Sequence, residues 1–229
     1  MNKKYQYLLF DADDTLFDFK ASEKEALDGF FQSLNIELTD SIRDHYHRIN
    51  HSLWAAFERN EITKDDVLNT RFRQLFREEG IVVDQPDLEK NYQDRLASSH
   101  ITIPHVFDLL DALKNDYDLY IVSNGVATTQ YSRLKASGLY SYFKGIFVSE
   151  ETGYQKPQVE FFDYAFERIP SFDRSKALII GDSLGSDMQG GINARIDTCW
   201  YNPKHLENTR SLPITYVVDS YDALKAILL

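Results

Sequence analysis

Three carboxylates in four positions, Asp11, Asp13 and Asp14, follow the apolar run Tyr5-Gln6-Tyr7-Leu8-Leu9-Phe10 and precede Thr15-Leu16. An apolar run with aromatic members reads as a strand buried in a sheet. So much negative charge at one point is repulsive unless a cation or shifted protonation relieves it. Asp11 and Asp13, two residues apart, can offer one carboxylate and one backbone carbonyl to Mg2+, a hard cation that takes oxygen ligands and keeps several waters. In an open α/β sheet the carboxyl end of a strand is where ligands bind. The ordinary alternative is an acidic turn that closes a strand, since Asp is a common turn former.

Other strand ends in the chain bear on that choice. The apolar run 119–122 ends in Ser123-Asn124-Gly125, and the run 177–180 ends in Gly181-Asp182-Ser183. Lys156-Pro157 stands just before a helix, and Asp187 follows Asp182 by five residues. If the strands are parallel, their carboxyl ends share one edge and bring a cation site beside hydroxyl, amide and lysine donors. Phosphoryl transfer needs those parts: a nucleophile, a cation, and donors for the equatorial oxygens. Taken singly, each has a plainer reading. Ser123 would cap a strand, Asn124-Gly125 would make a turn, and Asp182 would be a loop acid. Lys156 would be a surface lysine, and Asp187 would cap a helix. Their joint occurrence, in order, at three strand ends favours the chemical reading. No Gly-rich stretch leads into Gly-Lys-Ser/Thr, so nucleotide hydrolysis of the Walker type is disfavoured.

The elements that must position these groups follow from periodicity. Ser22 with Glu25 spells a capping box before an apolar face of Ala26, Leu27, Phe30, Phe31 and Leu34. A second helix is expected over about 40–58, with Ile42, Tyr46, Ile49, Leu53 and Phe57 spaced by three and four. Thr63 with Asp66 opens a third that stops near Gly80, and Pro86 begins a fourth. Residues 18–100 thus carry helices and no convincing strand, and are expected to form a helical domain inserted into the core of 1–17 and 101–229. Beyond Pro104, helices alternate with short apolar strands at 119–122, 146–148, 177–180, 198–201 and 216–218. Such βα repetition predicts an α/β fold whose parallel sheet is covered on both faces.

Composition narrows the class. A single cysteine, Cys199, rules out an internal disulfide and a Cys-based zinc cluster, and fits a reducing cytoplasm. A formal charge of −11 argues against a nucleic-acid partner, though not against a small phosphorylated metabolite. No apolar run approaches the roughly 20 residues of a membrane helix, and no signal peptide is expected. His45, His47 and His51 lack carboxylates at metal spacing and are expected as ordinary helix positions.

Asp-x-Asp-x-Thr-Leu after a strand, Ser-Asn-Gly after a strand, Lys-Pro, and Gly-Asp-Ser with a later Asp resemble the four motifs of the haloacid dehalogenase-like hydrolases. The resemblance spans nearly all of residues 5–203 and implies a Rossmann-like core with a helical cap after the first strand. It implies that Asp11 is the nucleophile forming an aspartyl-phosphate. Asp13 would be the general acid and base. Mg2+ would be held by the Asp11 carboxylate, the Asp13 carbonyl and Asp182, with Asp187 acting from behind them or through water. Ser123 and the Asn124 backbone amide would bind the phosphoryl group, and Lys156 would neutralise developing charge. Two positions depart from the pattern: Asp14 and Arg195 stand where relatives often carry Gly.

Asp13 favours a phosphatase over a dehalogenase, because a halide leaves without a proton and an alcohol does not. A phosphomutase would also keep Asp13. A phospho-accepting signalling domain pairs similar groups but lacks the helical insert and the later Gly-Asp-Ser. The run through Phe17-Asp18-Phe19, with Trp-Tyr-Asn-Pro at 200–203, looks closest to the pyrimidine 5'-nucleotidase branch. Phe17, Phe19 and Arg71 are the candidate specificity residues, whereas Trp54 and Phe57 read as packing. A phosphoglycolate or sugar-phosphate phosphatase is the rival.

Overall fold

The computed structural model describes residues 4–229. Six strands, β1 (Tyr7–Phe10), β2 (Asp118–Ser123), β3 (Gly145–Val148), β4 (Ala177–Gly181), β5 (Asp197–Tyr201) and β6 (Tyr216–Val218), form one sheet. Their order is β3-β2-β1-β4-β5-β6, and every pairing is parallel. The expected α/β architecture is therefore present. β1 lies between β2 and β4 with all four residues buried, which accounts for an uninterrupted apolar strand in place of an alternating one.

Among the described residues, ten α-helices accompany the sheet. α1 (Phe19–Ser33), α2 (Asp40–Glu58), α3 (Lys64–Glu78) and α4 (Leu88–Ser98) come before β2, followed by α5 (Val106–Leu113). α6 (Ala127–Ser137), α7 (Ser149–Thr152), α8 (Val159–Arg168), α9 (Gln189–Asn193) and α10 (Tyr221–Leu228) follow. Helices pack on both faces of the sheet through two apolar clusters. One gathers Leu8, Phe10, Leu109, Leu113 and Leu224, the other Leu9, Val122, Phe161, Phe162 and Ile179. No helix among the described residues is long and apolar enough to cross a membrane.

The chain divides into two compact units, one running through Lys20 and resuming at His100–Leu229, the other being Ala21–Ser99. Within the helical unit, Phe30 meets Phe72 at 4.5 Å between ring centroids, and Tyr46 stacks on Phe72 at 5.2 Å. Thr63 and Asp66 close the capping box read from the sequence at the start of α3. The Ser22 box does not form. α1 starts at Phe19, and its buried stripe runs Ser22, Glu23, Ala26, Leu27, Phe30, Phe31. Ser22 thus lies on the inner face of the helix interior, and its hydroxyl is buried without a hydrogen-bond partner.

The helical unit also holds a charge pattern that sequence spacing concealed. His45 of α2 sits between two α3-end carboxylates: Nε2 is 2.8 Å from Glu78 Oε2, and Nδ1 meets Glu79 Oε1. Both ring nitrogens can donate only in the imidazolium, and Glu79 foremost, then Glu78, raises the His45 pKa from its ordinary 6.5. A raised histidine contributes stability that is complete below the unfolded value and fades as pH climbs through the folded one. His45→Gln should therefore lower the melting temperature at about pH 6 and have much less effect at about pH 9. Equal losses at both pH values would show that the clamp is not ionic.

Candidate active site

The register of the sheet assembles the strand ends. Phe10 pairs with Ile121 on one side and Ile180 on the other, so the next residue, Asp11, leaves β1 beside Val122 and Gly181. The Asp11 N–H continues the ladder by donating to the Ile180 carbonyl at 2.9 Å. In a parallel sheet all carboxyl ends lie at one edge, so Ser123 and Asp182 are brought to the same edge as Asp11.

Lys156 is buried to 1% exposure among these groups. Its ammonium donates to Asp11 Oδ1 at 2.6 Å, Asp187 Oδ1 at 2.7 Å and the Val122 carbonyl at 2.7 Å. Burial works to lower its pKa, but the Asp11 and Asp187 carboxylates outweigh that and raise it, so it is a fixed cation. The Asn124 side chain holds the backbone that carries it. Asn124 Oδ1 accepts from Lys156 N–H, and Asn124 Nδ2 donates to the Lys156 carbonyl, both at 2.9 Å. The Lys156–Pro157 peptide is cis. The carboxamide of Asn124 is thus engaged, leaving the expected phosphoryl contact to its backbone amide.

Asp11, Asp182 and Asp187 each offer one carboxylate oxygen within 4.8 Å of the others. Burial, with Asp187 and Asp13 adding to it and Lys156 opposing, pushes the Asp11 carboxyl up to about 8. Burial, then the Asp11 and Asp187 charges, raises Asp182 well above the usual carboxylate range. Fully ionised, the three carboxylates against one ammonium would carry two negative charges, which a divalent cation would balance. An all-oxygen donor set suits Mg2+. The residues present therefore fit that ion.

Asp187 reaches this cluster from an unusual turn. Leu184–Met188 forms one π-helical turn, capped by the Ser183 hydroxyl, before α9 begins. Taken singly in the sequence, Asp187 reads as the cap of an ordinary helix. The wider turn lets the Asp187 carboxylate point back to the strand end, where Oδ2 accepts from Ser183 N–H at 3.1 Å. A Cβ on Gly181 would lie 2.2 Å from that oxygen, so only glycine fits there. The two departures from the resemblance are both accommodated in left-handed backbone, Asp14 at φ 54° and Arg195 at φ 57°.

Asp13 has partners that sequence reasoning missed. Gln130 Nε2 donates to Asp13 Oδ2 at 2.7 Å and to Ser123 Oγ at 2.9 Å, and Arg133 pairs with Asp13 Oδ1. Both residues belong to the inner face of α6, with Thr129 and Leu134. Two polar side chains three apart on a buried stripe were the available signal.

The candidate specificity residues are placed differently from expectation. Phe17 is fully buried in the core, and the Arg133 guanidinium covers its ring at 4.3 Å, so it offers no open face to a base. Arg71 is buried within the helical unit and paired with Glu89, Tyr46 and Asn50. A guanidinium so engaged is a packing element of that unit, which corrects its reading as a substrate contact. Phe19 is half-buried at the first position of α1. Cys199 is buried in β5, and burial pushes its thiol up to about 12, so it is no nucleophile.

Fold and site together define a class: a parallel α/β sheet whose carboxyl edge gathers acids and a buried lysine around a cation position. The profile of the haloacid dehalogenase-like hydrolases matches residues 8–201, and the chain belongs to that family. It is 48% identical to the HAD hydrolase YfnB of Bacillus subtilis, covering 99% of this chain and 96% of that one. Pyrimidine 5'-nucleotidase PynA of Streptococcus pneumoniae is 43% identical over 96% of this chain and 93% of its own length. Pyrimidine 5'-nucleotidase YjjG of Escherichia coli is 32% identical, with 98% of both chains covered. The crystal structure of YfnB bound to magnesium superposes with a TM-score of 0.94 over 99% of each chain.

Proposed function

We propose that this hydrolase is a Mg2+-dependent phosphomonoesterase of the cytoplasm, working through an aspartyl-phosphate on Asp11 and preferring pyrimidine nucleoside 5'-monophosphates. The observation that carries the reading is the placement of Lys156 between Asp11 and Asp187, with Asp13 two residues on. An Asp11 oxygen attacks phosphorus while the bond from phosphorus to the alcohol oxygen breaks. Asp13 gives its proton to that oxygen, then takes one from the water that hydrolyses the acyl phosphate. The Ser123 hydroxyl and the Asn124 amide hold phosphoryl oxygens, and the Lys156 ammonium offsets the charge they gather. Asp11, the Asp13 carbonyl and Asp182 would hold Mg2+, with Asp187 behind them. When bound, the ion supplies Lewis-acid polarisation and charge neutralisation.

The nucleotide preference is supported by the two nucleotidase relatives, each matched over nearly its full length. A flat base offers a surface for stacking, worth roughly 1–3 kcal/mol in nucleic-acid systems, which separates related bases poorly. UMP, dUMP and dTMP are therefore expected as substrates, together with non-standard pyrimidine nucleotides. The test is kcat/KM for these, phosphoglycolate and hexose phosphates at one pH and one Mg2+ concentration. The pyrimidine nucleotides should lead. If phosphoglycolate or a hexose phosphate exceeds all of them, the nucleotide preference fails while the phosphatase stands; no turnover of any phosphomonoester would overturn both.

A further inference from the structure

Gln130 and Arg133 of α6 are 1% and 0% exposed, and their polar ends close a ring with Asp13. Gln130 Nε2 donates one hydrogen to Asp13 Oδ2 and the other to Ser123 Oγ. Its Oε1 accepts from Arg133 at 3.0 Å, and the same Arg133 nitrogen pairs with Asp13 Oδ1. Acceptors on the nitrogen side and the Arg133 donor on the oxygen side fix the orientation of the carboxamide, because a flipped amide would set its oxygen against the carboxylate. The Arg133 guanidinium carbon is itself 4.3 Å from the centroid of the Phe17 ring.

The space for this ring is built in. A Cβ on Gly125 would lie 2.7 Å from Gln130 Nε2, so glycine after Ser123-Asn124 leaves room for the carboxamide. Burying an arginine–aspartate pair gives little stability over an apolar pair of similar volume, so stability alone is a weak reason for the ring. Ser123 supplies another reason. Its oxygen accepts from Gln130 and from Gly125 N–H at 3.1 Å, which fills both lone pairs. Its own O–H hydrogen is then left to donate to a third group.

The geometry points to Gln130 and Arg133 as positioning residues that aim the Asp13 carboxyl at the leaving oxygen and, through Gln130, turn the Ser123 hydroxyl toward the phosphoryl group. This rests on the phosphatase reading. As the Asp11–phosphorus bond forms and the phosphorus–alcohol bond breaks, the Asp13 proton passes to the alcohol oxygen. The carboxylate that remains is the form Gln130 and Arg133 hydrogen-bond. Both oxygens are restrained, yet each keeps a lone pair for the transfer.

Leaving groups separate this role from a merely structural one. A nucleoside monophosphate releases an alkoxide that must be protonated, whereas p-nitrophenyl phosphate releases a phenolate that departs without a proton. Gln130→Leu should lower kcat/KM for UMP about 100-fold and for p-nitrophenyl phosphate less than about fivefold, as loss of general acid catalysis requires. Gly125→Ala keeps Gln130 but displaces its carboxamide, and should show the same split; it carries the comparison if Gln130→Leu does not fold. A crystal structure of either variant should show the Asp13 carboxylate displaced. Equal losses on both substrates would overturn the aiming of Asp13, and no loss on either would overturn the positioning of Asp13 and Ser123 alike. A wild-type protein that hydrolyses neither ester would refute the phosphatase reading itself.

Discussion

Asp11→Asn should yield a folded protein whose turnover of phosphomonoesters is reduced by at least about 10,000-fold, the scale on which losing a covalent nucleophile is felt. The carboxamide has nearly the shape of the carboxyl, so packing around a side chain beside Lys156 and the β1 terminus is kept. Its oxygen can still accept from Lys156, now 2.6 Å from Asp11 Oδ1. Amide nitrogen and oxygen are poor nucleophiles toward phosphorus, and the charge that attracts a cation is gone. Stability gives an independent reading. Asp11 is raised from its ordinary 3.8 to about 8, so the protonated carboxyl favours folding at low pH, and that contribution disappears as pH rises toward 8. Asparagine does not titrate. In metal-free buffer near neutral pH the variant should melt at or above the wild-type temperature. A catalytic loss with a lowered melting temperature would indicate damage to the fold instead, and near-normal turnover would remove Asp11 from the chemistry.

Lys156→Met should be the most damaging single change for chemistry and stability together. Methionine fills the space of the alkyl chain but leaves Asp11, Asp187 and the Val122 carbonyl without their donor. Breaking a buried ion pair by removing one partner costs about 3–5 kcal/mol. For a domain of this size each kcal/mol corresponds to about 2–4 °C, so a fall of roughly 6–20 °C is expected. Turnover should drop by about 100- to 1,000-fold, the usual cost of one electrostatic donor at a developing charge. Urea unfolding and kcat measured on the same preparation check both figures. A variant within threefold of wild-type kcat would show that Lys156 serves the fold alone.

How far the sequence could be read differs from element to element. β1 was legible because a fully buried strand needs an unbroken apolar run, and its end was marked by acids that have no place in a core. Parallel pairing follows from the alternation of short strands with helices, and parallel pairing alone puts Asp11, Ser123 and Asp182 on one edge. The ring around Asp13 was not legible. Gln130 and Arg133 stand 117 and 120 residues from their partner, and periodicity reports which face of a helix is buried but not what a polar side chain on it meets. Phe17 misled for a related reason. An aromatic next to the nucleophile loop has the right chemistry to stack on a base, but the ring is spent as the platform under Arg133. Arg71 reads in the sequence as a specificity residue, and the core of the helical unit absorbs it through Glu89 and Asn50. The π-helical turn before α9 depends on the Ser183 cap and on Asp187 folding back, both properties of side-chain direction.

The central claim is a covalent phosphoryl group on Asp11. The direct measurement is an acid quench during steady turnover of UMP with Mg2+, followed by borohydride reduction and peptide mass spectrometry. An acyl phosphate is reduced to the alcohol, so position 11 should be recovered in part as homoserine, with Asp13, Asp182 and Asp187 unchanged and no conversion in the absence of substrate. Full turnover with position 11 recovered only as aspartate, or homoserine at another acid, would contradict the account.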